Sequence, residues 1–171
     1  GDADHGLTMA KIAGAISEAV DAAEGGIQSM LDDAAMAVMT LNGGSAVPLW
    51  NTWLDGLQEE APEGEEIDVA GLKVIFAKAL EELEDMSGAK VGDKTMMDAL
   101  IPASEAVAAY TGDSADELFD AAAQAAAQGA EATKQYVSKF GRAKSYGTKT
   151  IGTPDAGAVS MSWFFQGLAR E

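Results

Sequence analysis

Two carboxylates, Asp2 and Asp4, lie two residues apart in the glycine-bounded segment 1–6. Carboxylate oxygens are the hard ligands that Mg²⁺ prefers, and a magnesium ion held in this way keeps several waters and can bridge phosphate oxygens. The same spacing also fits acids that cap a helix or lie in solvent. The segment therefore indicates a metal-assisted phosphate site as one of two interpretations.

Three later segments, 42–45, 87–95 and 140–157, are also rich in glycine and small polar residues. Glycine lets the backbone approach a ligand closely. A helix that begins after such a loop offers unpaired N–H groups and a partial positive charge to a phosphate. Simpler explanations stay open, because Ser45 and Pro48 fit an ordinary helix start and residues 92–95 fit a capped loop.

A local reversal of charge occurs at Arg142, Lys144 and Lys149, which share one loop of an acidic chain. This cluster is the clearest electrostatic indication of an anion site, although a surface loop explains it equally well. His5 is the only histidine, which excludes a multi-histidine zinc site and favours a hydrogen-bonding role over that of a general base. The sequence contains neither a Walker-type phosphate loop nor a nucleophile elbow.

The composition predicts a single helical domain in the cytoplasm, spanning residues 1–171. The chain has a net charge of −17, which argues against nucleic-acid binding through a basic face. It has no cysteine, which fits a reducing compartment, and no apolar run of membrane-spanning length. Because the chain begins at Gly1 inside a motif, we expect further sequence upstream of it.

The elements that must position these loops are helices, because apolar residues recur at three- and four-residue steps. We predict seven helices and no strand, with capping boxes at Thr95–Asp98 and Ser114–Glu117. The predicted helices are 7–23, 27–41, 46–60, 68–86, 96–111, 115–138 and 157–169. Short links favour an all-α, up-and-down antiparallel bundle or barrel. Alternate links then lie at the same end, so the glycine-rich loops are predicted to meet there.

Five motifs, in order and spanning almost the whole chain, resemble the nucleotide-binding domain of dihydroxyacetone kinases, known as the DhaL or Dak2 domain. They are Gly1-Asp-Ala-Asp-His-Gly6, Gly43-Gly-Ser45, Gly92-Asp-Lys-Thr-Met-Met-Asp-Ala-Leu100, Gly141-Arg-Ala143 and Gly152-Thr-Pro-Asp-Ala-Gly-Ala158. The resemblance implies a barrel of eight antiparallel helices with the nucleotide at one end. With about seven helices predicted here, the family's first helix would precede Gly1.

The resemblance also implies residue roles. Asp2 and Asp4 would hold two Mg²⁺ ions together with a third carboxylate upstream of Gly1, and Arg142 would neutralise charge during transfer. Met96 would lie against the adenine of ATP or ADP. The other residues implied to bind the nucleotide are His5, Gly6, Leu7, Thr8, Ser45, Ala46, Gly88, Thr95, Arg142, Asp155, Ala156 and Gly157.

The resemblance implies phosphoryl transfer to dihydroxyacetone, held on a histidine of a separate DhaK-type domain or subunit. Ala3, Ala46, Ala156 and the loop after Arg142 depart from the family's common pattern. These departures favour a relative that acts on a related ketose, such as the four-carbon erythrulose.

Three alternatives stay open. The first is a phosphotransferase-system-linked subunit, in which bound ADP is rephosphorylated by a donor protein. The second is a domain similar to fatty-acid kinases, against which residues 4–6 and 45–46 count. The third is a non-enzymatic acidic helical module for protein interaction.

Overall fold

A computed structural model describes residues 4–170, which form seven α-helices, two 3₁₀ segments and no β-strand. The predicted all-α class is therefore confirmed for this part of the chain. The helices are α1 (His5–Ala22), α2 (Ile27–Met39), α3 (Ala46–Glu59), α4 (Val69–Ser87), α5 (Met97–Ala109), α6 (Ala115–Ala132) and α7 (Ala156–Ala169). The 3₁₀ segments are Thr133–Gln135 and Arg142–Thr150. The chain divides into two compact units, 4–87 with α1 to α4 and 88–170 with α5 to α7.

Consecutive helices pack against one another in the first unit, and α1 also contacts α3. Its core is aromatic, since Trp53 lies edge-on to Trp50 at 5.7 Å between ring centroids and 6.0 Å from Phe76. A Cβ on Gly56 would lie 2.7 Å from the Cα of Ala79. Only glycine at this position lets α3 and α4 approach so closely.

In the second unit α6 packs against both α5 and α7, and α5 also contacts α7. Leu100, Leu118, Met161 and Phe165 are fully buried in its core. The small residues of α6 allow a close crossing, because a Cβ on Gly129 would lie 2.0 Å from the carbonyl oxygen of Asp98. The first turn of α5 is therefore held directly against α6.

The predicted helix 115–138 is too long at its C-terminal end, because α6 stops at Ala132. Thr133 ends the helix through contacts distant in sequence. Its carbonyl accepts a hydrogen bond from the side chain of Lys94, and its hydroxyl accepts one from the backbone N–H of Asp155. Tyr136, predicted on the apolar face of this helix, lies beyond it.

The loop predicted at 140–157 contains the 3₁₀ segment Arg142–Thr150, broken at Gly147, where φ is 54°. Elsewhere the predicted helix ends agree with the structure to within two residues, the usual spread of such boundaries. The capping box at Ser114 is half formed. Glu117 N–H donates to the Ser114 hydroxyl, but the Glu117 carboxylate accepts from the Tyr110 hydroxyl instead of from the Ser114 backbone.

Candidate functional site

The described part of the first predicted motif, residues 4–6, lies at the start of α1. Asp4 is exposed at the N-cap position, and its side chain makes no capping hydrogen bond. The capping interpretation of Asp4 is therefore wrong. His5 is half-buried, Gly6 and Leu7 are exposed, and Thr8 is buried. Asp2 lies outside the described residues.

The loop 42–45 packs against this first turn of α1. A Cβ on Gly43 would lie 2.9 Å from the Cγ2 atoms of both Thr8 and Val47, so a larger residue in this loop would have to displace these two side chains. Ser45 is exposed at the N-cap position of α3, but its side chain forms no capping bond. Ala46 begins the helix and is half-buried. The structure thus brings together Thr8 and the loop that precedes Ser45, two parts of the predicted site.

In the second unit, Asp98 organises the predicted Thr95 motif. Its carboxylate is almost fully buried and accepts hydrogen bonds of 2.7 Å from the backbone N–H groups of Gly92 and Thr95. The Thr95 hydroxyl accepts from Met97 N–H at 3.1 Å, and not from Asp98 N–H as a full capping box requires. The predicted box is therefore correct in its carboxylate half only, and the loop 92–95 is fixed by a buried charge.

Lys94 is the residue that the sequence interpretation missed. Its ammonium donates to the backbone carbonyls of Thr133 at 2.7 Å, Thr150 at 2.6 Å and Thr153 at 2.5 Å. Burial lowers the pKa of this ammonium below its usual value, while the nearby charges of Asp155 and Asp98 oppose the shift. Its carbonyl partners lie about 40 to 60 residues away along the chain, so no local pattern indicates this contact.

Asp93 fastens the same loop to residues 138–140. Its carboxylate accepts from Lys90 N–H at 2.9 Å and from the Lys139 ammonium at 2.8 Å, and its carbonyl accepts from Lys139 N–H. The hydrogen bond from Lys139, followed by that from Lys90, holds the pKa of the Asp93 carboxyl below its ordinary value. The loop is thereby anchored on both sides of Lys94.

Asp155 starts α7 and is its N-cap. The carboxylate accepts from Ala158 N–H at 2.9 Å, and the Asp155 backbone N–H donates to the Thr133 hydroxyl at 2.8 Å. A Cβ on Gly157 would lie 3.4 Å from the backbone N and the Cβ of Met96. The structure therefore places Met96, which is buried, directly beside the half-buried first turn of α7 formed by Ala156 and Gly157.

Two further residues predicted to bind the nucleotide, Arg142 and Gly88, are exposed. Arg142 begins the second 3₁₀ segment after Gly141, whose φ is 62°, and its side chain is exposed. Lys144 and Lys149 of the same segment are also exposed, so the basic cluster lies at the surface. Gly88 directly follows α4 with a φ of 66°, a left-handed conformation that favours glycine.

Within residues 4–170, no three histidine or acidic side chains lie close enough together to hold a metal ion. Asp4 is the described member of the predicted ligand pair, and its exposed carboxylate has the oxygen donors that suit Mg²⁺. No helix in this part of the chain combines the length and the apolar character needed to cross a bilayer.

Comparison with known proteins finds one domain family and several kinases of small ketoses. The sequence matches the DAK2 domain over residues 1–170. It is 36% identical to the L-erythrulose kinase of Pectobacterium atrosepticum, over 99% of this chain and 30% of that protein. It is 30% identical to the ADP-binding subunit DhaL of a PEP-dependent dihydroxyacetone kinase from Listeria innocua, over 99% of this chain and 81% of that subunit. The dihydroxyacetone kinase of Pichia angusta is 32% identical over 99% of this chain and 30% of its own length. The chain thus spans about 30% of the length of the erythrulose kinases it matches.

Proposed function

The chain belongs to the DAK2 domain family, and we propose that it binds a magnesium-bound adenine nucleotide and takes part in phosphoryl transfer to a small hydroxyketone. The observation that carries this proposal is the similarity to an ADP-binding subunit along nearly the whole chain. The proposed substrate is held by a separate DhaK-type domain or subunit. The proposed compartment is the cytoplasm, which suits a cysteine-free chain.

The residues proposed to bind the nucleotide are those that the family motifs mark in this sequence. From the first unit come His5, Gly6, Leu7 and Thr8, with Ser45 and Ala46 at the start of α3. From the second come Gly88, Thr95 and Met96, with Arg142 and residues 155–157. Both sets include the first turn of a helix, whose N–H groups and partial positive charge favour phosphate. The close approach of Met96 to Gly157 supports an adenine site bordered by these two residues.

Asp4, together with Asp2, is proposed to hold two magnesium ions. Bound there, Mg²⁺ would neutralise charge on the phosphate oxygens as the phosphoryl group moves. The protein's own part is positioning and electrostatics. Helix N-termini orient the phosphates, and Arg142 supplies a positive charge in a chain with a net charge of −17.

Erythrulose is the proposed acceptor within the ketose class. Three of the relatives are erythrulose kinases, at 30 to 36% identity, and the sequence departs from the common dihydroxyacetone kinase pattern at Ala3, Ala46 and Ala156. Assays that compare erythrulose with dihydroxyacetone, in the presence of the full DhaK-type partner, decide between the two ketoses by the ratio of their kcat/KM values.

A second candidate is a subunit that keeps ADP bound and receives its phosphoryl group from a phosphotransferase-system protein. It is favoured by the DhaL subunit of Escherichia coli, which is 28% identical and of which the chain covers 82%. The rate at which bound nucleotide exchanges with free nucleotide distinguishes ATP from a phosphotransferase-system protein as the phosphoryl donor. Rapid exchange with free ATP supports direct ATP use, whereas retention of ADP through turnover supports the phosphotransferase-linked subunit.

The test of the proposed function is Asp4→Asn in the full-length protein, with Asp21→Asn, an exposed residue of α1, as the matched control. We expect Asp4→Asn to lower phosphoryl transfer by at least about 100-fold, because a neutral amide is a poor magnesium ligand. Circular dichroism should stay unchanged, and the control should keep wild-type turnover. Undiminished transfer by Asp4→Asn would contradict the metal role.

A further inference from the structure

Lys94 combines two features that are rarely found together. The residue is only 5% exposed although its side chain carries an ammonium group. Its backbone has a φ of 64°, the only positive φ of a non-glycine residue among residues 4–170. Each feature costs free energy and persists only where the surroundings require it. Lys94 therefore does more than fill space.

The ammonium of Lys94 joins its own loop to two other stretches of chain. Its acceptors are the carbonyls of Thr133 at the end of α6, Thr150 at the end of the second 3₁₀ segment, and Thr153 shortly before α7. A hydrogen bond of 2.7 Å from Gly152 N–H to the Lys134 carbonyl ties two of these stretches directly. All three donor positions of the ammonium are used, so a neutral or planar side chain cannot replace it fully.

The positive φ of Lys94 affects where the following residues point. With the lysine side chain turned inward, the next residue directs its backbone N–H to the Asp98 carboxylate. Met96 then lies beside the first turn of α7. Two carboxylates attract the Lys94 ammonium, the buried one of Asp98 and the one of Asp155 that caps α7.

We propose that Lys94 is a positioning residue for the nucleotide, which it does not contact. By holding the three threonine carbonyls, its ammonium keeps the Thr95–Met96 turn in register with the start of α7 at Asp155 and Gly157. This inference rests on the proposed function, because those residues are the proposed adenine and phosphate contacts of the second unit. Loss of the ammonium then lets the Thr95–Met96 turn move relative to the start of α7.

The test compares Lys94→Met with Leu118→Ala, a core variant of α6 outside the network, at matched loss of Tm. Amide hydrogen exchange and calorimetry with Mg-ADP are measured on the full-length protein. We expect Lys94→Met to exchange faster in segments 90–96 and 148–158 and to bind Mg-ADP at least about tenfold more weakly. Leu118→Ala should keep its affinity within about twofold of the wild type.

A charge-restoring variant keeps the test decisive. Residues 1–171 contain no cysteine, so Lys94→Cys introduces a single thiol within them. In the unfolded protein this thiol is alkylated with 2-bromoethylamine, which recreates an ammonium, or with iodoacetamide, which gives a neutral amide. After refolding, the aminoethyl form should regain protection in both segments, and the amide form should not. Equal behaviour of the two forms would overturn the proposal.

The remaining outcomes also discriminate. An affinity loss no larger than that of Leu118→Ala, or unfolding of Lys94→Met throughout the chain, would overturn the positioning role. If the wild type fails to bind Mg-ADP, the proposed function is wrong and the nucleotide part of this inference falls with it. Protection of both segments that is lost in the amide form and restored by aminoethylation would then still establish Lys94 as the link between these segments.

Discussion

At the scale of single residues, Asp93 offers a test of the loop's electrostatics. Its side chain is 14% exposed and is paired with Lys139, which is 61% exposed, so solvent screens the pair and its contribution is about 1 kcal/mol. Because the folded pKa lies below the unfolded one, this stabilisation is complete above the ordinary carboxyl value and is lost as pH falls through the folded pKa.

We therefore expect Asp93→Asn to lower the free energy of unfolding by about 1 kcal/mol near neutral pH. The difference from the wild type should shrink below about pH 4, where the unfolded carboxyl becomes protonated. Urea denaturation at several pH values measures it. Asp120→Asn, at an exposed site on α6, is the control. A difference that stays constant with pH would show that the Lys139 contact does not stabilise the charged form.

Residues with a local signature could be predicted from the sequence, and Lys94 could not. Thr95 with Asp98, and Ser114 with Glu117, have spacings that reveal a helix start. Lys94 owes its position to carbonyls at 133, 150 and 153, which are brought together only by folding. The Thr95 and Ser114 capping boxes are each half formed, because the Thr95 hydroxyl accepts from Met97 N–H and the Glu117 carboxylate accepts from the Tyr110 hydroxyl.

At the scale of helices, the crossing of α5 and α6 depends on Gly129. Alanine there would gain up to about 1 kcal/mol in helix propensity. Its Cβ would lie 2.0 Å from a backbone carbonyl oxygen, which cannot move away as a flexible side chain could. The steric cost exceeds the gain, and we expect Gly129→Ala to destabilise the protein by about 1–3 kcal/mol.

The matched control for Gly129→Ala is Gly14→Ala in α1, where an added Cβ meets nothing within 4 Å. That variant should stabilise the protein by about 0.5–1 kcal/mol through its helix propensity alone. Thermal unfolding of both variants measures the contrast. Stabilisation by Gly129→Ala would contradict the close crossing.

Helix positions were predictable because amphipathic periodicity is a local property. The end of α6 was not, since the apolar pattern continues to Tyr136 while Thr133 is engaged by Lys94 and Asp155. The 3₁₀ segment Arg142–Thr150 was missed for a related reason. Its residues carry no apolar repeat, and Ser138 N–H and the Thr150 hydroxyl hold its end through a hydrogen bond of 3.1 Å.

At the scale of the whole molecule, the sequence predicts that loops separated along the chain bind one ligand. Within the first unit, Thr8 lies against the loop that precedes Ser45, and within the second, Met96 lies against Gly157. Each contact joins residues that the motifs had marked independently. That residues of both sets bind the same nucleotide stays a prediction. It depends on the family resemblance and on the up-and-down order of the helices, in which alternate links lie at the same end.

The most direct test of the central claim is amide hydrogen exchange of the full-length protein with and without Mg-ADP. We expect the nucleotide to slow exchange in segments 4–8 and 43–47 of the first unit, and also in segments 92–97 and 155–158 of the second. Mg²⁺ without nucleotide is the control. Protection confined to one unit, or absent from both, would contradict a magnesium nucleotide bound by these residues.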